Sequence, residues 1–148
     1  MFSFLDRPKA MAVSEIKQMF PYRLATTILD IGFGRGEFLK ALASTGYFRL
    51  SGTELSLKMV LALQNKLPAA LITGPRDLSL VTTDIVGCFE VIEHVEDPVR
   101  FLKELPRGFL FLSTPNPRRW WVRLTGQYEA WDFPPSHLHR FSKDKLRE

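Results

Sequence analysis

Thr27-Ile28-Leu29-Asp30-Ile31-Gly32-Phe33-Gly34-Arg35-Gly36-Glu37-Phe38-Leu39 is the stretch on which the reading of this chain turns. Ile28, Leu29 and Ile31 make a β-prone run, and Gly32, Gly34 and Gly36 break it. Beyond the glycines, Phe38, Leu39, Leu42 and Ala43 recur at helical spacing. The stretch therefore predicts a short apolar strand, an acidic residue near its end, a glycine turn and a helix. Glycines at such a turn permit positive φ and let a ligand approach the backbone. The helix that follows offers unsatisfied N–H groups and the positive end of its dipole. This is the build of a nucleotide-type pocket at the carboxyl end of a parallel strand.

Spacing narrows the ligand. A dinucleotide fingerprint needs Gly-x-Gly-x-x-Gly, but the sixth position counted from Gly32 is Glu37. A dinucleotide-type oxidoreductase fails on that count. What stands here is Asp-x-Gly-x-Gly-x-Gly over Asp30 to Gly36, which resembles motif I of class I S-adenosylmethionine-dependent methyltransferases. A carboxylate beside the turn suits a ligand that carries an ammonium better than one that carries a pyrophosphate. Glu54, at the end of the next apolar segment, stands where an acidic side chain can accept both ribose hydroxyls.

The rest of the chain carries the resemblance in order, over about residues 25 to 145. Phe89-Glu90-Val91-Ile92-Glu93-His94-Val95 is similar to the motif after the fourth strand in small-molecule and quinone-type methyltransferases. Thr114-Pro115-Asn116-Pro117 follows the fifth apolar run as in that family, where the loop borders the substrate. The implied fold is α/β and Rossmann-like, a mostly parallel sheet with helices on both faces, here apparently lacking its last two strands. The resemblance implies S-adenosyl-L-methionine as cofactor and a methyl acceptor of small or medium size. It places Asp30, Gly32, Gly34 and Gly36, with Phe33 in the same turn, around the methionine and ribose. Glu54 would take the ribose, Leu55 would pack on adenine, and Phe89 with Glu90 would close the methionine end. The family's acidic residue on the adenine amino group has no direct counterpart, because Pro75 stands near its place; Asp77 is the substitute on offer. His94 is the natural general base by its ordinary pKa.

Two further readings stand beside this one. Glu90, Glu93 and His94, with His137 or His139, resemble the ligand set of small-RNA 2′-O-methyltransferases, and two carboxylates with two imidazoles suit Mg²⁺ or Mn²⁺. The glutamate-histidine run is also widespread in relatives for which no metal is implied, so the leading expectation has none. The other is a non-catalytic or degenerate cofactor-binding protein acting with a partner, favoured by the missing strands and by Pro75.

Individual elements can be read along the chain. Ala10 to Phe20 predicts an amphipathic helix with Met11, Ile16, Met19 and Phe20 buried, closed by Pro21, so that residues 1–26 form a helical cap. Tyr47 to Thr53, Ala69 to Thr73 and Asp84 to Val91 predict strands. Ser56 reads as the cap of a helix to Lys66, with Leu57, Val60, Leu61 and Leu63 inward. Pro98 to Leu105 reads as a helix, and Gly108 to Ser113 as a strand buried on both faces. Residues 118–136 read as an aromatic loop or lid, through Trp120, Trp121, Tyr128, Trp131 and Phe133. Ser142 reads as the cap of a last helix from Lys143.

Composition bounds the rest. The chain has 148 residues, 45% of them hydrophobic, enough for one domain with a core. Its net charge of +4 is dispersed rather than clustered, which argues against nucleic acid. One cysteine, Cys88, and the lack of a leader sequence fit the cytoplasm. No apolar run approaches the roughly 20 residues that span a bilayer. A sheet without its last strands exposes an edge, which points to a homodimer or a partner chain.

Overall fold

Ile28 and Leu29 are fully buried because β1 (Thr27–Ile31) runs through the middle of a five-stranded sheet. The computed structural model describes residues 6–47, 49–68, 70–74, 78, 81–116, 120–128, 133–134 and 137–146, without the side chains of Trp120 and Trp121. The other strands are β2 (Arg49–Thr53), β3 (Leu71–Thr73), β4 (Ile85–Phe89) and β5 (Phe109–Ser113). All pairings are parallel and the order is β3-β2-β1-β4-β5. The chain thus reverses direction of growth next to β1, and the switch point for a ligand lies at the carboxyl ends of β1, β2 and β4.

Helices cover both faces, as the sequence implies. On one face lie α1 (Arg7–Met19), α2 (Glu37–Ser44) and α3 (Leu57–Lys66), whose Ile16, Phe38, Leu39, Leu42, Val60 and Leu63 pack over Ile28, Ile72 and Ile85. On the other, α4 (Pro98–Glu104) brings Phe101 to Leu29, Ile31 and Val86. Strand alternation decides which residue meets which layer. Ile28 and Asp30 point towards α1 and α2, whereas Leu29 and Ile31 point towards α4. Asp30 pairs in register with Gly52 on one side and Gly87 on the other. Gly87 is needed for a close approach: a Cβ there would stand 2.8 Å from the Phe38 ring and 3.1 Å from Asp30 Oδ1. Cys88 is buried in β4, and burial pushes its thiol pKa up to about 12, so it behaves as a small apolar core residue.

Caps explain the helix ends. Asp6 starts α1 by accepting from Lys9 N, and Asp97 starts α4 by accepting from Arg100 N, each with proline in the first turn. The Tyr47 hydroxyl donates to the Phe20 carbonyl at 2.7 Å and ties the end of α1 to the sheet. At the far edge, the Gln64 amide of α3 donates to the Ile72 carbonyl of β3 at 2.8 Å.

Several expectations are corrected. α1 begins earlier than Ala10, and its buried side is Ala12, Val13 and Ile16, while Met11 and Met19 are exposed; the small side chains let the helix lie close to α2. Leu57 and Leu61 of α3 face outward, since only Val60 and Leu63 fall on the stripe towards the sheet. β5 is not buried on both faces: it is an edge strand, with Phe109 and Leu110 55% and 43% exposed. Within the loop expected over 118–136, Trp120–Thr125 forms a helix, α5. After Ser142, whose Oγ accepts from Lys145 N, residues 143–146 form a single turn rather than a helix. Trp131 and the Trp120 and Trp121 side chains lie outside the described residues.

Candidate cofactor site

The glycine turn has the backbone its sequence requires. Gly32, Gly34 and Gly36 have φ of +66°, +52° and +67°, and Gly36 is the cap of α2. An added Cβ at Gly36 would run into Leu63, and one at Gly32 into Val91. The turn is pinned to the end of β2: Gly32 N donates to Thr53 O at 2.8 Å, and Gly34 N donates to Glu54 Oε2 at 2.9 Å. The other oxygen of Glu54 accepts from Ser56 N at 3.0 Å. Two backbone donors thus fix this carboxylate, and its remaining lone pairs are available to hydroxyls.

Beside the turn opens a cavity of about 420 Å³, within the usual range for a small-molecule site. Gly32, Glu54, Leu55, Glu90 and His94, all expected in the site, line it. Thr53, Leu78, Val91, Val95 and Phe101 complete the wall with Ile31. Among the described residues the lining carries the carboxylates of Glu54 and Glu90 and the imidazole of His94. Its apolar part, from Leu55 to Phe101, suits a flat ring, and its polar part, at Glu54, suits a diol.

Glu90 has φ of +57°, the left-handed region, and is the one non-glycine residue there among those described. Such a conformation costs on the order of 1–3 kcal/mol and is held only by its surroundings. Here Glu90 N donates to Ser113 O, and Glu90 Oε1 accepts from Ser113 Oγ at 2.8 Å. Glu90 thereby borders the cavity from the end of β4.

Other expected residues are placed differently. Phe33 and Phe89 are core residues, Phe89 stacking on Phe38 at 4.8 Å between ring centroids, and neither lines the cavity. Gly34 and Gly36 shape the turn without bordering it. Asp30 lies beneath the turn, 2% exposed, and burial raises its pKa from 3.8 to about 8, against a lowering by Lys9 and a further rise from Glu54. Asp77 falls outside the described residues.

Glu93, His94 and His137 converge, each with a ligand-type atom within 4.8 Å of the others. A 3-10 turn, Ile92–His94, carries the first two, and the His94 and His137 rings meet edge to face at 4.9 Å. The backbone around His137 is held because Leu138 N and His139 N both donate to the Glu93 carbonyl. The Glu93 carboxylate is 1% exposed; its oxygens have no hydrogen-bond partner within standard geometry among the described residues, and Oε1 lies 3.9 Å from His94 Nε2. Burial raises its pKa, outweighing the lowering by its own backbone. A buried carboxylate beside two imidazoles fits a divalent cation in donor chemistry. Glu90 and His139 are not in this group; His139 Nε2 lies 3.2 Å from the Glu96 carbonyl. Tyr128 and Phe133 of the expected aromatic pocket hold Arg140 between them, its Cζ 4.4 Å from each ring centroid.

A larger cavity, about 860 Å³, lies at the opposite, amino end of the strands. Both acids in its described lining are already engaged: Asp84 accepts from Thr27 N and Oγ1, the backbone hydrogen bond above all lowering its pKa, and Glu104 accepts from Arg100 Nε. Ligands of open α/β sheets bind at the carboxyl ends, so the smaller cavity is the candidate site.

Sheet order, glycine turn and acidic β2 end together define a Rossmann-like architecture of the class I methyltransferase type. The chain belongs to the methyltransferase domain family, which it matches over residues 4–148. It is 27% identical over 131 residues to the ubiquinone biosynthesis O-methyltransferase of Coxiella burnetii, covering 78% of this chain and 56% of that protein. The enzyme of the same name from Haemophilus ducreyi is 29% identical over 136 residues, covering 78% and 57%. The chain spans just over half the length of these relatives. Among solved structures, the magnesium protoporphyrin IX methyltransferase of Synechocystis with bound S-adenosylhomocysteine superposes with a TM-score of 0.72 at 19% identity, over 99% of this chain and 75% of that one. A small-RNA methyltransferase superposes with a TM-score of 0.66 at 21% identity, over 99% of this chain and 22% of that one. No helix among the described residues is long and apolar enough to cross a membrane.

Proposed function

We propose that the chain binds S-adenosylmethionine in the 420 Å³ cavity and transfers its methyl group to a hydroxyl of a small acceptor. The observation that carries this reading is Glu54, fixed by Gly34 N and Ser56 N at the end of β2 and facing an apolar slot. The ribose hydroxyls donate to Glu54, and adenine lies against Leu55, Leu78 and Phe101. Gly32 and Glu90 border the methionine and sulfonium. The sulfonium is already a reactive donor, so the protein mainly aligns the acceptor and excludes water. Bound S-adenosylmethionine would supply the methyl group to an acceptor hydroxyl, and His94 would take the proton that the hydroxyl gives up. A hydroxyl is chosen over nitrogen or carbon because both curated relatives are named as O-methyltransferases.

Titration calorimetry with S-adenosylmethionine and S-adenosylhomocysteine tests the site. Wild type binds both, and Glu54→Ala weakens binding by roughly tenfold or more, the scale of one charge-assisted hydrogen bond. Absence of binding to the wild type removes the reading.

The buried Glu93 carboxylate favours a second reading, in which Glu93, His94 and His137 would hold a divalent cation and His94 would not serve as the base. Such an ion supplies Lewis acidity towards an acceptor hydroxyl. Calorimetric titration with Mg²⁺ and Mn²⁺ tests it: binding that disappears in His137→Ala supports the site, and no binding to wild type dismisses it.

The β5 edge, unpaired among the described residues and with Phe109 and Leu110 exposed, supports cover by a second copy of the chain.

A further inference from the structure

The cavity of about 860 Å³ lies at the far end of the sheet from the candidate cofactor site, and methyl transfer makes no use of it. Its wall carries three cations from separate parts of the chain. Arg49 opens β2, Lys103 sits in the last turn of α4, and Arg107 stands just before β5. Sheet register brings these places together. Arg49 is the partner of Thr27 in β1, Thr27 is bonded to Asp84 at the foot of β4, and Phe109 N of β5 donates to the Asp84 carbonyl. Gly108 allows the entry to β5 to lie against this foot. A Cβ there would stand 2.8 Å from the Thr83 carbonyl oxygen and 2.9 Å from that of Asp84. Arg107, its neighbour, is thereby kept at the cavity.

The charges around the cavity are unequally spent. Asp84 is taken by Thr27, and Glu104 by Arg100, so the two acids of the described lining have partners of their own. Arg49 donates only to the Ala25 carbonyl, at 3.5 Å, the long limit of a hydrogen bond, and its charge is the least of the causes that act on Asp84. Lys103 and Arg107 form no ion pair among the described residues. Cations gathered on one cavity repel each other, and an anion among them relieves the repulsion.

Size and geometry narrow the anion. In the order β2-β1-β4-β5 the feet of β2 and β5 are three strand spacings apart, about 14 Å. A bare ion is too small to meet both sides of that mouth, whereas a molecule with an anionic group at each end can. A phosphate brings about two charges where a carboxylate brings one, and the flat fork of an arginine matches its oxygens. Half-buried Val81 and Leu105, with buried Pro106, give the ligand's carbon body an apolar wall. We propose that this cavity binds a small molecule bearing two phosphate groups, one held by Arg49 and the other by Lys103 and Arg107.

The site stands apart from the proposed cofactor, and its test does too. Fructose 1,6-bisphosphate, inorganic phosphate and citrate are titrated by calorimetry at low ionic strength into wild type, Arg49→Gln, Lys103→Gln, Arg107→Gln and Lys40→Gln. Thermal unfolding checks that each variant is folded. Lys40 lies in the groove between α2 and α3 and controls for a general loss of charge. Wild type binds the bisphosphate roughly tenfold or more tightly than phosphate or citrate. Each cavity variant weakens it by about three- to tenfold, the scale of one charge-assisted contact near the surface. Lys40→Gln leaves it unchanged, as does Glu54→Ala at the cofactor site. No binding of the bisphosphate to wild type overturns the proposal. Phosphate or citrate binding as tightly as the bisphosphate overturns it as well, since neither reaches both sides with phosphate. Cavity variants that bind like wild type, or a Lys40→Gln that weakens binding equally, show a diffuse charge effect and overturn it too.

Discussion

Replacing Asp30 by asparagine should flatten the pH dependence of stability. Asp30 is 2% exposed, sits between Gly52 and Gly87 in the sheet, and has its pKa raised to about 8, first by burial. In the unfolded chain the same group ionises near 3.8. Below about pH 4 both states hold the proton and burial carries no charge penalty. From about pH 4 to pH 8 the unfolded chain gives up the proton while the folded chain keeps it, so stability falls as pH rises. The slope for one proton is about 1.4 kcal/mol per pH unit, so roughly 3 kcal/mol is lost between pH 5 and pH 7. Above about pH 8 both states are ionised and this contribution levels off. Asparagine has nearly the same shape and no proton to lose. Urea unfolding of wild type and Asp30→Asn at pH 5, 6, 7 and 8 isolates the effect, because all other titrating groups are shared. Wild type should lose on the order of 3 kcal/mol more than the variant from pH 5 to pH 7. Parallel curves for the two proteins would show that Asp30 is ionised throughout, and the account of its burial would be wrong.

Two other outcomes follow from the fold. Gly36→Ala should destabilise by about 2–4 kcal/mol, combining the left-handed backbone with overpacking against Leu63, read as a lower urea midpoint at unchanged slope; a change under about 0.5 kcal/mol would contradict the packing described. Light scattering should give a mass that rises with concentration towards a dimer, and Leu110→Lys at the β5 edge should hold the chain monomeric; a wild-type monomer at every concentration would end the proposal of a covered edge.

Local patterns carried most of the fold. The run around Asp30 gave strand, turn and helix, and the glycines took the positive φ values their positions required. Two expected residues lie off the cavity wall for one reason. Asp30 and Phe89 belong to the strand face that meets α1 and α2, the same side as Ile28 and Ile85, so alternation turns them away from the cavity. That alternation was available in the sequence. The contributions of Leu78 and Phe101 were not, because each depends on how a separate loop or helix closes over the sheet. The histidines show the same limit. His137 and His139 are two residues apart in an irregular segment, where no period fixes direction, and only the hydrogen bonds to the Glu93 carbonyl decide that His137 faces His94. Burial of β5 was misread because an unbroken apolar run reports what a strand needs and is silent about what covers it.

The Gln64 amide on the Ile72 carbonyl has a consequence for how this sheet can be extended. A side chain already occupies one of β3's acceptors, and that strand is only three residues long, so an incoming strand would have to displace a bond before forming its own. β5 has five residues and no such guard among those described. The sheet therefore has a blind margin and a receptive one. Among the described residues, a peptide supplied in trans to lengthen the sheet meets that bond at β3 and no such bond at β5.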